Sequence, residues 1–224
     1  ALKRFQQLNA ATVSLLPGNI TQGEALDILK GIAAEVFPQG YTADYNGESR
    51  QFVQEGSSLI ITFLLAIAVI YLVLAAQYES FKDPFVILMT VPLAMTGALI
   101  FTYLGFTTIN IYTQIGLITL VGLISKNGIL IVEFANQLRA EGKSVMEAVI
   151  EASSIRLRPI LMTTFSTVFG VLPLLLANGP GAVSRFSIGL VIASGMAIGT
   201  LFTLFVVPAF YMLVNRQKTE TKSA

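Results

Sequence analysis

The sequence predicts an α-helical integral membrane protein with five transmembrane helices. Of its 224 residues, 54% are hydrophobic and only 12% are charged, whereas ordinary soluble domains carry about 25% charged residues. The charges also leave several uncharged stretches that can cross a bilayer core about 30 Å thick, which takes about 20 helical residues. This composition, with a net charge of +1, argues against a disordered chain and against a basic nucleic-acid-binding protein. The short alternating segments of a transmembrane β-barrel are absent.

Two residue types that many enzymes need are missing from the chain. There is no cysteine and no histidine, so the sequence offers no disulfide, no thiol centre and no imidazole base or metal ligand. We therefore expect no metal, no cofactor and no enzymatic activity.

The first segment, residues 1–55, is predicted to be a β-α-β unit outside the membrane. Residues 11–16 are β-prone and end at Pro17. Thr21 and Glu24 form a capping box that begins a helix ending before Pro38, and residues 41–45 are again extended. Because a two-stranded sheet is marginally stable by itself, we expect this unit to be part of a larger external domain.

The membrane domain is predicted to occupy residues 56–215. Turn-forming residues at 105–110 and 178–181 divide the long apolar stretches. The resulting five spans cover about 57–77, 84–104, 111–136, 157–177 and 186–214. Between the third and fourth spans, residues 137–156 contain a second capping box, Ser144 to Glu147, and predict a short helix at the membrane interface. Residues 216–224 form a tail.

Lysine and arginine residues predict the orientation, because they accumulate in cytoplasmic loops. The loops on one side contain a single basic residue, Arg185. The loops and tail on the other side contain eight basic residues: Lys82, Arg139, Lys143, Arg156, Arg158, Arg216, Lys218 and Lys222. We therefore expect this basic side and the C-terminus to face the cytoplasm of a bacterial inner membrane, with residues 1–55 in the periplasm.

After the loops are assigned, two charged residues remain within the predicted spans, Lys126 and Glu133. Glu133 lies near the cytoplasmic end of its helix and is interpreted as a carboxylate paired at that end or reaching the interface. Lys126 lies about 16 Å from the cytoplasmic end of the same span, where a charge costs at least about 2.5–3.5 kcal/mol. It therefore needs an acid or a hydrated path. Glu133 is about 10.5 Å away along the axis, so the acid must come from outside this chain.

The fourth span brings further polar groups to the depth of Lys126. Arg156 lies at its cytoplasmic mouth and Thr163 follows two turns later. Together with Lys126 these groups could form a hydrated proton relay. Alternatively, Thr163, Thr164, Ser166 and Thr167 hold helices together through their hydroxyls. Gly195 and Gly199 are interpreted as a close-packing face of the last span.

Three runs of residues resemble resistance–nodulation–division (RND) drug exporters. Residues 122–135 (GLISKNGILIVEFA) resemble their tenth transmembrane helix, and residues 156–164 (RLRPILMTT) resemble the start of their eleventh. Residues 75–80 (AAQYES) followed by Pro84 resemble the junction of helices eight and nine. The resemblance covers essentially the whole chain, from the end of a ferredoxin-like periplasmic porter subdomain through helices eight to twelve.

The resemblance is strongest to the hydrophobe/amphiphile efflux branch and implies a homotrimeric drug/proton antiporter. Such a pump works with a periplasmic adaptor and an outer-membrane channel. The resemblance implies that Lys126, Arg156 and Thr163 are proton-relay residues. It also implies that the missing acids are two aspartates on the fourth transmembrane helix of such exporters, which lies outside this chain. The chain is then expected to be a C-terminal fragment, with its drug-binding pocket elsewhere.

Other interpretations remain open at this point. A heavy-metal or lipid exporter of the same superfamily is one, although six methionines without cysteine or histidine offer few soft metal ligands. A non-transporting membrane scaffold or a truncated gene product is another. Of the possible partners, lipid and hydrophobic or amphiphilic small molecules are expected and nucleic acid is not.

Overall fold

A computed structural model describes residues 4–15 and 20–220, and the side chains of these residues except for 48, 55–58 and 216–220. Its two strands, β1 (Arg4–Phe5) and β2 (Leu8–Asn9), form an antiparallel hairpin. Seven helices follow in chain order: α1 (Gln22–Val36), α2 (Glu48–Tyr78), α3 (Lys82–Leu88), α4 (Thr90–Tyr103), α5 (Ile111–Ala140), α6 (Val145–Leu175) and α7 (Ala182–Glu220).

The helix of the N-terminal segment is confirmed, and so is its capping box. The hydroxyl of Thr21 accepts from the backbone N–H of Glu24, and the Glu24 carboxylate accepts from the N–H of Thr21. The strands differ from the prediction, because the hairpin precedes residue 11 and neither 11–15 nor 41–45 pairs with a strand. Leu16 lies outside the described residues. A β-prone segment needs a neighbouring strand to satisfy its backbone groups, and no described residue supplies one here.

The prediction of five membrane-spanning helical segments is confirmed. In the described part of the chain, five segments are long and apolar enough to cross a bilayer: Leu59–Tyr78, Lys82–Tyr103, Ile111–Ala140, Val145–Leu175 and Ala182–Asn215. The predicted division at residues 105–110 is also present. Gly105 adopts a left-handed conformation with φ of 83°, and the Asn110 side chain accepts from the backbone N–H groups of Tyr112 and Thr113 to begin α5.

The second span consists of two helices, α3 and α4, that meet at Met89. Pro92 has no N–H to donate to the carbonyl of Leu88, four residues earlier, and its ring crowds that carbonyl. The hydroxyl of Thr90 donates to the carbonyl of Ile87 at 2.7 Å. The interruption therefore follows from a proline inside an otherwise helical span.

The predicted segment 137–156 does not contain a separate short helix. It comprises the end of α5, a tight turn, and the first turns of α6, which continues without a break to Leu175. The capping box of Ser144 and Glu147 begins α6, as predicted. Pro159 lies inside this continuous helix.

Helix α7 packs against α4, α5 and α6 and lies at the centre of the bundle. Gly199 is a point of close approach: a Cβ atom at this position would lie 2.7 Å from the Cβ of Ala94 and 2.9 Å from a methyl carbon of Ile124. The interpretation of Gly195 and Gly199 as a packing face is therefore confirmed.

The buried core has two parts along the bundle. We call the end where α5 and α7 terminate and α3 and α6 begin the basic end; its core includes Ile87, Ile131, Val149 and Tyr211. The core towards the opposite end includes residues of α4, α5 and α7 such as Val91, Leu120, Ile124 and Val191. The large apolar side chains on the outer faces of α2 and α6 are exposed, among them Leu64, Leu65, Phe165 and Phe169. Such faces suit contact with lipid or with further helices.

Candidate functional site

Lys126 lies midway along α5, about 22 Å from its first residue at 1.5 Å per residue. Its neighbours Ser125 and Asn127 are buried, whereas the Lys126 side chain lies on the outer surface of the described helices. Its ammonium makes no hydrogen bond or ion pair with any described side chain. The structure thus places an unpartnered cation at the middle of a membrane-spanning helix.

Glu133 is engaged elsewhere and does not neutralise Lys126. One of its carboxylate oxygens accepts a hydrogen bond of 3.3 Å from the hydroxyl of Tyr78, at the end of α2. This agrees with the interpretation of Glu133 as a carboxylate paired near the end of its helix. Two helical turns separate it from Lys126, as its sequence position requires.

Arg156 lies in α6 and turns towards α5. The central carbon of its guanidinium group is 4.7 Å from the centroid of the Phe134 ring, within the range of a cation–π contact. Its Nε atom is buried and has no hydrogen-bond partner among the described residues. Arg156 therefore retains an unused donor in a position where its charge is held against an aromatic face.

Thr163 makes its hydrogen bonds within α6. Its hydroxyl donates to the carbonyl of Ile160 at 3.0 Å, and its own carbonyl accepts from the hydroxyl of Thr167 at 2.9 Å. Two helical turns, about 10.5 Å, separate it from Arg156. No hydrogen bond joins the side chains of Lys126, Arg156 and Thr163 directly.

The bundle interior contains a polar cluster that the sequence analysis recognised only in part. The Nδ2 atom of Asn127 donates to the hydroxyl of Thr200 at 3.2 Å, and the hydroxyls of Thr200 and Thr164 are 3.0 Å apart. We call these three residues, from α5, α7 and α6, the buried triad; each is at most 7% exposed. Of the hydroxyls expected to hold helices together, that of Thr164 makes such a bond, whereas those of Thr163 and Thr167 donate within α6. The sequence analysis assigned no role to Asn127 or Thr200, although a polar residue inside an apolar span is itself an indication of interhelical hydrogen bonding.

A second polar network at the basic end corrects the list of charges within the spans. Asp83, in the first turn of α3, is only 8% exposed, so Lys126 and Glu133 are not the only charged residues of the bundle. The Asp83 carboxylate accepts from the Nδ2 atom of Asn136 at 3.1 Å, and Asn136 accepts from the hydroxyl of Tyr211.

The same network continues from Tyr211 to Arg139. Arg139 donates to Asn215 at 3.0 Å and to the Tyr211 hydroxyl at 3.4 Å. Sequence position suggested a loop for Asp83, and only packing reveals its burial.

The described residues contain no group of three or more acidic, histidine or cysteine side chains that could hold a metal ion. What this arrangement offers chemically is a set of charges and hydrogen-bond donors in a low-dielectric bundle. Such intramembrane groups mark ion or proton pathways in membrane proteins. Together, the five spans and these groups define a multi-pass membrane protein with polar side chains among its helices.

Comparison with known proteins identifies the family. Residues 1–215 match the AcrB/AcrD/AcrF family, so the chain belongs to this family of RND efflux transporters. It is 53% identical over 222 residues to an uncharacterized transporter of Haemophilus influenzae, a match that covers 96% of this chain and 22% of the relative.

Two further relatives carry functional names. The chain is 39% identical over 215 residues to the toluene efflux pump membrane transporter TtgB of Pseudomonas putida, which covers 96% of this chain and 20% of that protein. It is 37% identical over 203 residues to the multidrug resistance protein MdtF of Escherichia coli, covering 90% of this chain and 20% of that protein. The chain therefore spans about a fifth of the length of the curated relatives that it matches.

Proposed function

We propose that this chain is the C-terminal part of a proton-driven efflux transporter of the bacterial inner membrane, and that Lys126 is the cationic centre of its proton path. The single observation that carries the proposal is the position of Lys126, midway along α5 and without a partner among the described residues. Because an unpaired ammonium is costly at that depth, it requires either a carboxylate or water supplied by the rest of the transporter.

The carboxylates are expected on a helix outside this chain, as the resemblance to RND exporters implies. With these acids ionised, Lys126 pairs with them. When a proton neutralises an acid, the attraction is lost, and the helices that carry the two groups can adopt a second arrangement. Alternation between the two arrangements would couple proton entry to export, and Arg156 and Thr163 would complete the path towards the cytoplasm.

The remaining parts of the proposal follow the family. The excess of lysine and arginine supports a cytoplasmic basic end and a periplasmic residue range 1–55. The names of the solvent-exporting and multidrug-exporting relatives support hydrophobic or amphiphilic cargo. A homotrimer, a periplasmic adaptor and an outer-membrane channel complete the proposed assembly, with the drug-binding pocket outside this chain.

The test is proton-coupled dye efflux by the assembled transporter that contains this chain. Lys126→Ala is expected to abolish efflux while leaving protein abundance and trimer formation unchanged. Lys82→Ala is the matched control, because Lys82 is an exposed lysine at the basic end of α3 whose ammonium has no described partner. Normal efflux by Lys126→Ala would overturn the assignment of Lys126. Failure of the unsubstituted protein to export any dye against a proton gradient would instead favour a non-transporting scaffold.

A further inference from the structure

The buried triad connects three helices through one side chain, that of Thr200. Its hydroxyl oxygen accepts from Asn127 of α5 and shares a hydrogen bond with Thr164 of α6. Thr200 itself is 1% exposed. A hydroxyl has one proton to donate and two lone pairs to accept with, so Thr200 can serve both neighbours at once.

The two neighbours of Thr200 are adjacent in sequence to the proposed relay residues. Asn127 follows Lys126, and Thr164 follows Thr163. Consecutive side chains of a helix are about 100° apart and differ by about 1.5 Å in height. A hydrogen bond that holds Asn127 against α7 therefore fixes both the height and the rotation of Lys126, and the bond to Thr164 does the same for Thr163.

Burial alone does not require the hydroxyl of Thr200 to bond to other helices. Thr203, one turn later on α7, is also fully buried, yet its hydroxyl donates to the carbonyl of Gly199 in its own helix at 2.7 Å. A buried threonine on α7 can thus satisfy itself locally. Thr200 instead bonds to the two helices that carry Lys126 and Thr163, at the height of both residues.

We propose that Thr200 is a positioning residue for proton translocation, which sets the rotation and height of α5 and α6 so that Lys126 and Thr163 face the same proton path. This inference rests on the proposed function. Thr200 acts through Asn127 and Thr164, to which its hydroxyl bonds. Loss of its hydroxyl frees α5 to rotate relative to α6, which moves Lys126 out of register with its partner acids.

The test uses Thr200→Val in the assembled transporter, because valine keeps the shape of threonine and removes the hydroxyl. We expect turnover per trimer to fall at least about tenfold, because misplacing reacting groups by about 1 Å can cost about 100-fold. The KM for the exported dye should stay unchanged. Thr200→Ser, which restores a hydroxyl, should recover most of the turnover. The matched control is Thr203→Val, which removes a buried hydroxyl that bonds only to its own helix and should keep near-normal turnover.

The outcomes separate this inference from the proposed function. If Thr200→Val exports dye normally while Lys126→Ala does not, the positioning role is wrong and the relay stands. Equal losses in Thr200→Val and Thr203→Val, or no recovery in Thr200→Ser, would also overturn the positioning role, since a general packing defect would then explain the effect. Normal export by Lys126→Ala would overturn the proposed function itself.

Discussion

Substitution of Gly199 by alanine tests whether α7 is packed at backbone contact against α4. The added Cβ would lie 2.7 Å from the Cβ of Ala94 and 2.9 Å from a methyl carbon of Ile124. Ordinary contact between such carbons begins near 3.5 Å. The Ala94 Cβ is attached directly to the backbone of α4, so it cannot rotate away, and the two helices must separate by most of an ångström.

The control for this substitution is Gly170→Ala in α6, where no described atom beyond the adjoining backbone of α6 lies within 4 Å of the added Cβ. Replacing glycine by alanine inside a helix contributes up to about 1 kcal/mol of stability in both variants. Overpacking of a core costs about 1–3 kcal/mol and applies to Gly199 alone. The difference between the two variants therefore isolates the packing cost, which we expect to be about 1–3 kcal/mol.

The assay is unfolding of the purified transporter in mixed micelles by titration with sodium dodecyl sulfate, followed by loss of helical circular dichroism. Gly199→Ala should unfold at a lower detergent fraction than the unsubstituted protein, and Gly170→Ala at an equal or higher one. Coincident transitions for the two variants would refute the close packing of α7 against α4. Gly199→Val, which adds a larger side chain at the same contact, should unfold at a still lower detergent fraction than Gly199→Ala.

Two smaller effects follow from individual hydrogen bonds. Tyr211→Phe removes the hydroxyl that donates to Asn136 and should lower the free energy of unfolding by about 1 kcal/mol, the scale of interhelical bonds in membranes. The control Tyr103→Phe, at a side chain that is 92% exposed, should leave the free energy of unfolding unchanged. Equal effects of the two substitutions would contradict the network at the basic end. Ser144→Ala removes the cap of α6, in which the serine hydroxyl accepts from the N–H of Glu147, and should cost about 1 kcal/mol. Hydrogen exchange should then become faster in the first turn of α6 alone, and unchanged exchange there would show that the cap does not stabilise the helix.

The features that could be predicted from the sequence depend on composition and local spacing. The capping boxes at Thr21 and Ser144 and the division of the spans at Gly105 involve residues a few positions apart, so their geometry is set within one turn of helix. The depth of Lys126 required only a count of residues along a helix. Each of these features is local or additive along the chain.

The features that were missed arise from contacts between distant residues. Asp83 was expected in a loop, but it is buried, and its carboxylate accepts a hydrogen bond from Asn136, 53 positions later. The strands expected at 11–16 and 41–45 depend on neighbours that the described residues do not supply. The short helix expected within residues 137–156 is instead the start of α6, which continues without a break to Leu175.

By itself, the sequence determined that this is a five-span membrane protein with a lysine deep in its third span, because the cost of placing polar groups in hydrocarbon depends on composition and depth alone. Only the tertiary structure decided which polar residues face one another. Thr200 and Thr164 are 36 positions apart and Asn127 and Thr200 are 73 apart, and no local spacing encodes the rotation of one helix against another. That rotation is set by side-chain packing, such as the close approach at Gly199, and it assigns Asn127 to the interior while Lys126 stays at the surface.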